Sequence, residues 1–147
     1  VVMRSSLLCP VYRKWLQLHP EQARFERQKL KLEALQLRRD GELSRARKLY
    51  TQVWEIAQSI LFALRRPDST SQIYHQDLVS FVAAAMAVNH CSKAQSEFSQ
   101  DVLNDTQQQL SALMPLYASE PQLLSTIHQL KEWLRHDDVM QFSTHLH

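Results

Sequence analysis

His128 and Glu132 stand four residues apart, the spacing that brings two side chains to one face of a helix. His136-Asp137-Asp138 and His145-Leu146-His147 follow downstream. Imidazole and carboxylate are zinc ligands, but a zinc site needs three or four of them converging. None of these groups is set at a diagnostic spacing, so they read as surface residues of a Gln/His-rich tail. No metal or other cofactor is expected. His90-Cys91 pairs a base with a thiol, yet neighbours on a backbone rarely face each other. A free cysteine in an apolar register reads as buried filler. The chain has one glycine and no Walker loop, GxGxxG, GxSxG or HExxH, so nothing cradles a phosphate or presents a nucleophile. The sequence reads as that of a protein that is not an enzyme.

What remains is chemistry of recognition. Arg38, Arg39, Arg45, Arg47 and Lys48 crowd around Gly41, with Asp40 and Glu42 among them. Residues 1–66 carry 14 Lys+Arg against 6 Asp+Glu, and residues 67–147 carry 3 against 9. Such asymmetry steers a charged partner or favours self-association, unless the two halves compensate each other within the fold. Tyr74, His75 and Asp77 sit together and suit either the mouth of a groove or a capped, solvated first turn. Trp54 and Trp133 lie off the apolar stripes of their helices. Each suits a seam between helix pairs, or an exposed anchor for a partner.

The elements that position these groups are helices. One glycine and five prolines in 147 residues leave too little turn chemistry for a sheet protein. Leu30, Ala34 and Leu37 fall at helical spacing before Gly41, and Leu43, Ala46, Tyr50, Val53, Ala57, Ile60 and Leu64 do so after it. Asp40-Gly41-Glu42 is the turn of an αα-hairpin. Around this core the spacing predicts a single domain over residues 1–147. Residues 1–19 form an arm or short helix anchored by Trp15. Residues 20–66 form the first hairpin, opening at His19-Pro20-Glu21, with Arg24, Arg27, Lys31 and Arg38 on a face away from the core. Pro67 to Ser71 reads as the longest loop. Residues 73–114 form a second hairpin turning at Asn89-His90-Cys91-Ser92, with Ser92 as the next N-cap. Residues 121–136 form a C-terminal helix, and 137–147 a tail.

Side by side, the two hairpins resemble tetratricopeptide repeats. Leu30, Ala34, Leu37, Gly41, Leu43, Ala46, Tyr50 and Val53 make one copy. Leu78, Phe81, Ala85, Asn89, Cys91, Ala94 and Phe98 make a degenerate second. Ala46 and Ala94 stand 48 positions apart, against a standard period of roughly 34. Leu30 stands where that family prefers Trp, Val82 where it prefers a small residue, and Asn89 where it prefers glycine. The likeness spans Leu30 to Val102. It implies an all-α stack of five to six helices, superhelical or bundle-like, that binds proteins or peptides in a groove lined by the first helix of each repeat.

The expected function is therefore a protein- or peptide-binding adaptor whose partner is acidic. Arg38, Arg39, Arg45, Lys48, Trp54, Tyr74 and His75 are the candidate contacts. The alternative is a nucleic-acid-associated regulator using the same basic half. Two cysteines, Cys9 and Cys91, make no disulfide framework and point to a reducing cytoplasm. The apolar stretch before Cys9 is too short for a secretory leader, and no run approaches the ~20 apolar residues of a membrane span.

Overall fold

The computed structural model describes residues 7–64, 75–94 and 100–136, and among these it is all-helical. Six α-helices and one 3-10 turn follow in order. They are α1 (Pro10–Leu18), α2 (Pro20–Arg39), α3 (Leu43–Leu64), α4 (His75–Ala94), α5 (Gln100–Leu113), the turn Met114–Tyr117, and α6 (Pro121–His136).

Local chemistry sets the boundaries. α1 and α2 each begin with proline at the first helical position, where a missing N–H costs nothing. His19 lies between them and before Pro20, so its backbone leaves the helical region, at φ −132° and ψ 69°. After α2 the chain reverses in three residues. Gly41 adopts φ 79°, its N–H donates to Arg38 O at 3.1 Å, and the Glu42 N–H donates to Leu37 O at 2.8 Å. These two bonds satisfy carbonyls at the end of α2 in the Schellman arrangement, which needs a left-handed residue at its centre.

α3 is the hub of the first half. It packs most extensively on α2 and α4 and also carries α1. α4 in turn meets α5 and α6. Arg24 and Arg27 near the start of α2 pair with Asp77 near the start of α4, while Arg38 near the end of α2 meets His90 near the end of α4. α2 and α4 therefore run parallel, with α3 antiparallel to both. α4 is buried almost all round, from Asp77 to Ser92, as befits a helix with apolar or small residues on every side.

The core matches the expected stripes at Ala46, Tyr50, Val53, Ala57, Ile60 and Leu64, and at Leu78, Phe81, Val82, Ala85 and Val88. Leu30 and Leu37 pack against the core while remaining partly exposed. Four expectations are corrected. First, no turn occurs at Asn89-His90-Cys91-Ser92, because α4 continues to Ala94. A capping preference of about 1 kcal/mol is outweighed there by burial of Val88 and Cys91. Ser92 is not an N-cap, and its hydroxyl donates back to Val88 O at 2.9 Å. Ala94, placed beside Ala46 as a repeat equivalent, is exposed, whereas Ala46 is fully buried. Second, the arm is anchored by Leu16, which is fully buried, and not by Trp15, which is 39% exposed and stacks on His19 and Tyr12. Third, the basic face of α2 does not point away from the body, since Arg24, Arg27 and Arg38 reach α4. Fourth, Asp77 is not in a solvated turn but is buried. The expected loop at Pro67–Ser71, the helix start at Ile73, Phe98 and the tail from Asp137 lie outside the described residues.

Candidate functional site

The hairpin end at Gly41 gathers the basic residues and sorts them into two environments. Arg38 turns inward, its Nη2 lying 2.6 Å from His90 Nδ1. A guanidinium can only donate, so His90 Nδ1 is the acceptor and its ring proton sits on Nε2. Arg38 also acts electrostatically on the buried Tyr50 hydroxyl. Burial pushes the Tyr50 phenol up, with Arg38 pulling it back. Burial likewise pushes the Cys91 thiol up, against the opposing charges of Arg38 and Arg47. Cys91 is fully buried in this setting, which suits an inert core thiol.

Arg39, Arg45 and Lys48 point to solvent. Arg45 and Lys48 border a groove of about 650 Å³ between α2 and α3, lined also by Glu33, Gln36, Leu37, Leu49 and Gln52. The α3 contributors fall at i, i+3, i+4 and i+7, so one helical face supplies two cations, one leucine and one amide. The α2 contributors Glu33, Gln36 and Leu37 supply the facing wall. The groove thus has an apolar floor of Leu37 and Leu49 and a predominantly basic rim. It lies between the two helices of one hairpin. The seam between α2 and α4, where the repeat likeness places a groove, is bridged at its start by Arg24, Arg27 and Asp77 and at its end by Arg38 and His90.

The other candidate contacts lie elsewhere. Trp54 is fully buried, with its Nε1–H donating to Thr106 Oγ1 at 2.9 Å and its ring stacked on Phe81 at 5.5 Å. It fills the seam between α3, α4 and α5 and is removed from the partner-contact set. His75 opens α4 at the opposite end from Gly41 and lies 2.6 Å from the Thr126 hydroxyl, tying α4 to α6. Tyr74 lies outside the described residues.

Two buried carboxylates organise the interior: Asp77, expected at a groove mouth or in a solvated turn, and Glu55, which nothing in the spacing singles out. Asp77, 1% exposed, accepts from Arg24 Nε at 3.0 Å, Arg24 Nη2 at 2.8 Å and Arg27 Nη1 at 2.9 Å. The hydrogen bond to Asp77 is the main force raising the Arg24 pKa above its usual value. Glu55, fully buried, accepts from the backbone N–H groups of Leu7 and Leu8 and from Arg13 Nη2 at 2.7 Å. The only sequence signal for the first was Arg24 and Arg27 sharing a face of α2 (i, i+3).

Glu132 pairs with Arg135 and with His136 Nε2, the latter at 2.9 Å. His128 and Glu132 both line a polar groove of about 710 Å³ between α5 and α6. Among the described residues no three His, Cys, Asp or Glu side chains cluster in a way that could hold a metal ion. Among them no helix is long and apolar enough to cross a membrane. Compared with known proteins, the chain matches no protein-family profile, no curated protein and no solved structure.

Proposed function

We propose that the protein is a non-enzymatic adaptor that binds an acidic, amphipathic peptide segment of another protein in the groove between α2 and α3. The observation that carries this reading is the groove's make-up, with Leu37 and Leu49 at its floor and Arg45 and Lys48 on its rim. Apolar anchors of the partner fill the floor and give residence time. The cations, with exposed Arg39 beside them, attract carboxylates and raise the association rate. Glu33 in the wall repels a partner that is acidic throughout, which favours a mixed apolar and acidic segment. The same glutamate, with Asp40 and Glu42 at the turn, argues against a phosphate backbone as the occupant.

The test is fluorescence anisotropy with a labelled helical peptide carrying leucines at i, i+3 and i+7 and glutamates between them. A scrambled peptide and a single-stranded oligonucleotide serve as comparators. The expected result is peptide binding that weakens at least ~10-fold in Arg45→Glu/Lys48→Glu with unchanged thermal unfolding, the scale for lost interfacial charge pairs. Equal affinity for the scrambled peptide overturns the reading. Tighter, steeply salt-dependent binding of the oligonucleotide transfers the site to nucleic acid.

A further inference from the structure

Phe25 and Leu32 are large apolar residues on the face of α2 that turns away from the rest of the molecule, 69% and 56% exposed. Seven residues is close to two helical turns, so both project from one stripe, opposite the faces that meet α3 and α4. We propose that this stripe is the interface of a two-fold symmetric dimer in which α2 packs antiparallel on α2 of a second copy. This goes beyond the peptide-binding groove and does not depend on it.

The stripe is self-complementary in shape and, at its two ends, in charge. A two-fold axis midway between Phe25 and Leu32 sets Phe25 of one copy level with Leu32 of the other, and does so twice. α2 opens on the acidic Glu21, whose side chain is 80% exposed although it pairs with Arg24, and closes on Arg39. In the antiparallel arrangement Arg39 falls three residues, about 4.5 Å along the axis, from Glu21 of the second copy. That is within the reach of an arginine side chain, and symmetry makes the pair at both ends. Near the axis Gln28 and Lys29 flank the stripe on opposite sides; the two-fold axis carries each side onto itself, so Lys29 faces Lys29 of the other copy across the exposed edge, and this like-charge contact weakens the association. The two helix dipoles also oppose each other, which favours the antiparallel sense. One face of a 20-residue helix is smaller than the ~800 Å² per partner of a standard interface. The dimer therefore dissociates on dilution.

Sedimentation equilibrium over a wide concentration range tests this. The expected mass rises from one chain toward two, and Phe25→Gln/Leu32→Gln stays at one chain with an unchanged melting curve. Glu21→Arg alone is expected to weaken dimerisation several-fold by facing Arg39 of the second copy, and Arg39→Glu in the same chain to restore it. A mass of one chain at the highest concentration overturns the dimer, as does a doubled mass that survives the Phe25/Leu32 change. Growth beyond two chains overturns the two-fold symmetry, and failure of the charge swap to restore association overturns the antiparallel register.

Discussion

Glu55 and Asp77 are both buried carboxylates, and the contrast between them separates two kinds of structural job. Asp77 sits between helices, and both guanidinium groups of Arg24 and Arg27 hold it there. All three groups are largely withdrawn from water, so the triad fixes α2 against α4 at the cost of desolvating charge. Glu55 projects from the central helix toward the chain before α1. It is held partly by backbone N–H groups of Leu7 and Leu8 and partly by Arg13, whose side chain keeps 27% exposure. One carboxylate welds two long helices together, and the other pins an arm.

The sharpest way to break the comparison is Asp77→Ala, which takes their shared buried carboxylate from two largely buried cations. It should cost roughly 3–5 kcal/mol in global unfolding by chemical denaturation. Replacing the whole triad, as Asp77→Leu with Arg24→Met and Arg27→Met, should recover most of that loss, since a buried ion cluster and an apolar one of similar volume are often close in stability. If the triple variant is as unstable as the single one, the triad does more than balance charge.

Glu55→Ala should cost less, about 1–3 kcal/mol for unmade hydrogen bonds. Its signature is local. Hydrogen exchange should accelerate at Leu7, Leu8 and through α1 while α3 and α4 keep their protection. Uniform acceleration over the whole chain would erase the distinction between weld and pin. Gly41→Val, remote from both carboxylates, sets the baseline. A Cβ there meets open space, so only the φ of +79° resists it, at about 1–2 kcal/mol in thermal unfolding.

Much of the fold was legible because apolar spacing reports helix faces directly. α2 begins at Pro20 and ends at Arg39 as the capping signals require, and the turn at Gly41 has the positive φ that an isolated glycine between two periodic stretches implies. Legibility failed where a weak local preference met strong burial. Asn89 and Ser92 carry cap chemistry, but a stretch buried on nearly every side does not stop for it. It failed again at Asp77 and Glu55, because a charged residue in a helix looks solvated until its partners, 50 and 42 residues away for Arg27 and Arg13, are brought to it. The basic cluster around Gly41 was visible as composition. Its division into an inward Arg38 and an outward Arg39, Arg45 and Lys48 depends on where α4 ends, and that was the part misread.

The three tryptophans have a spectroscopic consequence. Trp54 is enclosed and stacked on Phe81, Trp15 is partly in water on α1, and Trp133 is half-covered on α6. Emission from Trp54 starts blue-shifted and moves far to the red only when the α3–α4–α5 seam comes apart. Trp15, 39% exposed, should shift less than Trp54 and change chiefly in intensity when His19 and Tyr12 leave it. Colour therefore reports chiefly on the body through Trp54 and brightness on the arm through Trp15, with half-covered Trp133 adding a contribution from α6. Whether their transitions coincide reports directly on the cooperativity of the whole molecule.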